Sequence, residues 1–255
     1  MLMPLTPNLF DGASERHGRF ERLFLAQDKL NDYINEILDG STDKLKIMDG
    51  VEHDLSLIVS LAFGKGLKTF HATTRLCLLG FGHDALILLR TNINLLINLV
   101  YILSKENPVE CAKDFLAFSY KQRTKYLRLA HGIVNPPWTP NMTDEEIQWR
   151  ANSWKNVSIE KKAESLPPFH YAQGYRLYSS FEHSDAFGLN DFLGDWDELG
   201  QTIDSGTSDK HIDLALVHNF EIMADVVVLI CKYYEINRPD IFKALHDIRD
   251  ELYAD

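Results

Sequence analysis

The sequence predicts an all-α protein, a single-domain multi-helix bundle. Three observations carry that prediction. Apolar residues recur at three- and four-residue spacing along nearly the whole chain, no convincing alternating run appears, and glycine or proline clusters fall between the periodic segments.

Residues 1–13 read as a flexible N-terminus and 14–255 as the helical domain. Ser14 is placed to cap a helix through "ERHGRFERLFLAQDKLNDYINEIL", which "DGSTD" ends. A long segment from about Lys44 to Leu79 follows, with Gly64 and Gly66 as weak points, and "GFG" at 80–82 is a turn. "HDALILLRTNINLLINLVYIL" is a strong helix stopped by "KENP", and Pro108 suits the first turn of a helix running to about His131. A proline-rich loop comes next. "TDEE" from Thr143 resembles a capping box and opens the following helix, "LPP" breaks the chain, and a helix is expected over 169–184. The acidic, glycine-rich stretch 188–211 reads as a loop, long enough to be functional or mobile. Helices over 212–235 and 239–253, divided by "NRP", complete the bundle.

A formal net charge of −11 over 255 residues argues against bulk attraction to nucleic acid or to anionic membranes. Any polyanion needs a local basic patch. Cys77, Cys111 and Cys231 lie far apart without a CxxC pair, as expected of free thiols in a reducing cytoplasm. The N-terminus lacks a signal-peptide pattern, and the two most apolar stretches, 84–103 and 212–231, are interrupted by polar residues. A soluble cytoplasmic protein without membrane contact is the expectation.

Several chemistries have no support. There is no phosphate-cradling GxxxxGK[ST], no GxSxG elbow, no HExxH, and no histidine with a glutamate three residues before it. Neither a metal site nor a cofactor is expected.

Two helices carry the polar groups of interest. On helix 82–103, His83, Arg90, Asn94 and Tyr101 share a narrow polar stripe on an otherwise apolar surface. An arginine there is paired, solvated, or lining a site. In "YRLYSSFEHSD", Arg176, Ser179, Ser180 and His183 stand at i, i+3, i+4 and i+7 and share one face, with Tyr178 among the tyrosines around it. Arginine can hold a phosphate bidentately and histidine can move a proton near neutral pH. Those are the two tasks in attack of a 2′-hydroxyl on its neighbouring phosphate. The plainer alternative is a surface helix with a histidine near its C-terminus.

Arg176, six intervening residues and His183 resemble the Arg-x(4–6)-His motif of HEPN domains, all-α domains of bacterial toxin–antitoxin and phage-defence systems. The resemblance implies a dimeric, metal-independent ribonuclease in which Arg176 contacts the scissile phosphate and His183 is the acid/base, with Ser180 between them. The pieces "GHDALILLRTNINLLINLVYIL" and "YRLYSSFEHSD", within roughly residues 50–235, also resemble a mainly bacterial all-α family known only as a domain of unknown function.

For an RNA substrate, "YKQRTKYLR" offers Lys121, Arg123, Lys125 and Arg128 with tyrosines interleaved, and "KGLKTFHATTR" sets Lys68, His71 and Arg75 on one side of a helix. The plainer reading of each is a solvated face. A non-catalytic helical module is the alternative function. It would bind a protein partner or a small ligand through His83, Arg90, Asn94, Tyr178 and His183, with no basic groove. A homodimer is expected under the ribonuclease reading.

Overall fold

The protein is all-α. Its structure, a computed structural model, describes residues 12–131, 141–166, 174–176, 178–179, 193–197, 200–203 and 206–254. The expected N-terminal tail and proline-rich loop lie almost wholly outside these residues. In chain order the helices are α1 (Ala13–Arg19), α2 (Glu21–Gly40), α3 (His53–Leu79), α4 (Gly82–Leu103), α5 (Pro108–His131), α6 (Asp144–Lys155), α7 (Ile159–Ala163), α8 (Ile212–Tyr233) and α9 (Pro239–Tyr253). A hairpin of β1 (Leu193–Asp197) and β2 (Gly200–Ile203) precedes α8.

Local chemistry explains several helix ends. Thr143 caps α6, its side chain accepting from the Glu146 N–H at 3.2 Å. Pro108 and Pro239 open α5 and α9, where a missing N–H costs nothing. Gly80, at φ 86°, ends α3: its N–H bonds the Cys77 carbonyl and the Phe81 N–H that of Leu76.

Four expectations are revised. Gly12, not Ser14, precedes the first helix, which breaks at Phe20. Residues 45–49 are not helical, and α3 then runs unbroken through Gly64 and Gly66. Gly66 is a packing point there: a Cβ would lie 3.7 Å from the Met223 sulfur, and its carbonyl accepts from Asn92 Nδ2 at 3.3 Å. The helix begun at Thr143 ends at Lys155, because Ser158 starts a new turn by accepting from the Lys161 N–H. Within the stretch read as a loop, Trp196 opposes Gln201 and Asp197 opposes Gly200 in antiparallel register.

The chain forms two compact units. One comprises residues 1–45, 63–96 and 167–255, the other 46–62 and 97–166. In the first, α2 packs on α8 and α9. Leu30, Ile34, Phe70, Leu86, Leu89, Phe220 and Met223 are fully buried there, and burying each such side chain stabilises by roughly 1.5–3 kcal/mol. Asn219 ties this core together, with Nδ2 at 3.1 Å from each of Gln27 Oε1, the Phe70 carbonyl and Thr74 Oγ1. The turn Gly80–Gly82 lies against 206–211: the Ser208 N–H bonds the Gly80 carbonyl at 2.8 Å, and a Cβ on Gly82 would collide with the Lys210 carbonyl. Arg16 and Arg19 both pair with Asp209 beside that turn.

In the second unit α5 packs on α6. Ala117 and Ala151 are small enough to bring the two helices together over Ile147. Arg150, largely buried, then bonds Glu110 and Asp114 of α5 and Glu146 of its own helix at 2.8–3.1 Å.

α4 and α8 are each long and apolar enough to cross a membrane by length and composition. Of their most apolar windows, 50% and 72% respectively are buried inside the protein.

Candidate functional site

The opening part of "YRLYSSFEHSD" lies on α4. Residues 174–176 and 178–179 are helical. Gly174 sits so close to Ile93 that a Cβ would overlap the Ile93 side chain, which brings the next turn within reach of Arg90. Arg90 Nε donates to Ser179 Oγ at 2.9 Å, and Nη2 reaches the Tyr175 hydroxyl at 3.5 Å. The guanidinium carbon stands 5.1 Å from the centroid of the Tyr175 ring. Ser179 is used twice, because its hydroxyl also donates to the Tyr175 carbonyl one turn back, at 2.6 Å. The half-buried arginine of the polar stripe and the serine of the second motif are thus partners.

The other candidates are distributed unevenly around this contact. Arg176 is exposed. Among the described residues, none of the ion pairs includes it. Asn94, one turn beyond Arg90 on α4, is exposed, and His83 is half-buried. Tyr178 departs from expectation. It is fully buried, and its hydroxyl is hydrogen-bonded to Nδ1 of His218, itself in the core. A tyrosine two residues from an exposed arginine on a helix points to the opposite side, so Tyr178 anchors the turn instead of lining a surface site. His218 was missed in the sequence, and nothing but its place in an apolar run marked it. Ser180 and His183 lie outside the described residues.

A second candidate surface lies between α5 and α6. An open groove of about 690 Å³ is lined by Tyr120, Lys121, Gln122, Lys125, Arg128 and Leu129 of α5 and by Asp144, Gln148, Asn152 and Lys155 of α6, among others. Its floor is the packed contact of Ala117, Ile147 and Ala151, with Phe118 and Tyr120 against it. Lys121 reaches across, its Nζ donating to Gln148 Oε1 at 2.7 Å. Of the basic residues expected here, Lys121, Lys125 and Arg128 line the groove, while Arg123 is exposed outside it. The α6 wall was missed, although Gln148, Asn152 and Lys155 at i, i+4 and i+7 were legible as one polar face. Lys68, His71 and Arg75 are all exposed on α3. Burial and the neighbouring Arg75 hold the His71 pKa below its usual value.

The three thiols and Lys162 belong to packing. Burial raises the thiol pKa of Cys77, Cys111 and Cys231. Lys162 is 7% exposed, with Nζ 3.8 Å from the centroid of the Trp154 ring, and burial pushes its pKa down to about 8. Among the described residues, no three His, Cys, Asp or Glu side chains gather closely enough to hold a metal ion.

Residues 56–201, more than half of the chain, match the model of a family of unknown function, DUF5677. The chain belongs to this family. The DUF5677 segment contains Arg90, Tyr175, Arg176 and Ser179 as well as both walls of the α5–α6 groove, and it stops short of α8. Comparison with curated proteins and with solved structures returns no match.

Proposed function

We propose that this DUF5677 protein is a HEPN-like, metal-independent endoribonuclease acting in the cytoplasm, as a homodimer, in a bacterial toxin or phage-defence setting. The supporting observation is the seating of the turn that carries Arg176. Arg90 binds residues on both sides of Arg176 in the chain, Tyr175 and Ser179, while Arg176 itself stays exposed. A phosphate-binding arginine needs that combination: a backbone held rigid by its neighbours, and a guanidinium free to meet solvent-borne substrate.

In this reading Arg176 holds the scissile phosphate and stabilises the charge that develops on it. His183, through the resemblance of the Arg-x6-His spacing, takes the proton from the 2′-hydroxyl and returns one to the leaving 5′-oxygen, with Ser180 beside it. The products are a 2′,3′-cyclic phosphate and a 5′-hydroxyl. Arg90 is a positioning residue. The basic groove on α5 and α6 weighs against the alternative of a non-catalytic ligand-binding module, for which no basic groove is expected.

The test is RNA cleavage by the purified protein in EDTA beside folded Arg176→Ala and His183→Ala variants. Cyclic-phosphate ends made by the wild type and lost in both variants are the expected result. Cleavage that survives either substitution, or no cleavage across a panel of unrelated RNAs, overturns the reading.

A further inference from the structure

We infer that the groove between α5 and α6 is a cradle for single-stranded RNA. The inference deepens the ribonuclease reading and rests on it for the choice of RNA over other polyanions. Its physical basis, however, lies in a different set of residues. The groove concentrates Lys121, Lys125, Arg128 and Lys155 against a single carboxylate, Asp144, in a chain whose formal net charge is −11. Such a local reversal attracts a polyanion despite the bulk repulsion.

Charge alone does not separate RNA from an acidic protein segment; the neutral lining does. Gln148 and Asn152 are exposed amides on one wall, joined Nε2 to Oδ1 at 3.2 Å, and together offer donors and acceptors to the edges of bases. Tyr120 supplies a ring at the floor, and Leu129, 78% exposed, an apolar surface at the rim. Bases stack on such groups whatever their sequence. A volume of about 690 Å³ suits a short single-stranded segment. The cation already bonded across the groove, Lys121 to Gln148, can exchange that amide for a phosphate oxygen.

The experiment is a fluorescence-anisotropy titration with a labelled single-stranded RNA of about 12 nucleotides, using the His183→Ala protein so that the probe stays intact. Salt is varied from about 50 to 200 mM. Lys125→Glu/Arg128→Glu, both exposed positions, should lower affinity about tenfold or more and flatten the salt dependence by about 0.7 per lost phosphate contact. Lys155→Glu on the opposite wall should act in the same direction. Poly-glutamate of matched length is the competitor. RNA affinity unchanged in all groove variants overturns the inference, as does poly-glutamate binding in place of RNA, or no binding of either. Groove variants that bind weakly beside a wild type that never cleaves would sustain the cradle and remove the ribonuclease. Wild-type cleavage with groove variants unimpaired would do the reverse.

Discussion

Arg90 and Ser179 are 89 positions apart in the chain and 2.9 Å apart in the fold, guanidinium Nε to hydroxyl oxygen. The contact welds the most apolar helix of the family segment to the motif that resembles a nuclease. Removing it tests how firmly that motif is seated. Arg90→Ala loses two hydrogen bonds and a ring contact, and should destabilise by about 2–3 kcal/mol in urea unfolding. Arg90→Lys should recover less than half, because an ammonium lacks the fork that spans Ser179 and Tyr175 at once. Equal midpoints for all three proteins would show that the contact is incidental.

Arg150 holds three carboxylates, Glu110, Asp114 and Glu146, at the α5–α6 seam. Arg150→Ala leaves them facing one another and should cost about 2–4 kcal/mol, the carboxylates being partly solvated. Acid titration should show the same network. Hydrogen bonds from Lys113 and Arg150 hold the Glu110 pKa below its ordinary 4.5. Its contribution is therefore present above that value and lost as pH falls toward the lower folded value. The variant's stability should fall less steeply over this acid range than the wild type's.

Lys162 gives the opposite arm of the pH profile. Its folded pKa of about 8 lies below the ordinary 10.5, so the folded state sheds the proton first. Stability from this group is present above 10.5 and lost as pH falls through 8. Cys111 and Cys231, raised from 9.0 to about 11, act in the other direction. The difference in melting temperature between the wild type and Lys162→Met isolates the lysine. Methionine should be the more stable at neutral pH, with the gap closing by about pH 10. The contact with Trp154 favours the charged form, and a gap smaller than the shift implies would measure its strength.

Two glycines separate backbone collision from side-chain collision. A Cβ at Gly82 meets the Lys210 carbonyl, whereas at Gly174 it meets the far end of the Ile93 side chain. Gly82→Ala should destabilise by about 3 kcal/mol or more, while Gly174→Ala should cost about 1 kcal/mol after Ile93 rotates. Differential scanning calorimetry of the two variants would check the order, and a reversal would contradict the packing described.

The starts of α5 and α9 were legible, because a proline that suits the first helical turn and apolar spacing agree there. The hairpin was not, since "LGDWDELGQTI" is rich in acidic and glycine residues and offers few of the β-branched pairs that mark strands. The break at Phe20 was missed for another reason: its one marker, Gly18, lies inside α1 itself, and periodicity continues on both sides. For the site, the sequence placed Arg90 on a polar stripe and Ser179 on a polar face, but pairing across 89 residues is a tertiary fact. Tyr178 misled because a tyrosine's polar tip reads as surface until a buried partner such as His218 is known.

The Asn219 junction bears on how this protein should be cut. Its amide joins α8 to Gln27 of α2 and to Phe70 and Thr74 of α3, and of these only the α3 pair falls inside residues 56–201. Expressed as an isolated fragment, that span would strip both outer helices from Phe70 and expose a greasy flank to chaperones and proteases. The stretch shared across the family is thus, in this chain, a portion of a folding unit, and shorter expression clones should keep α2 and α8 attached.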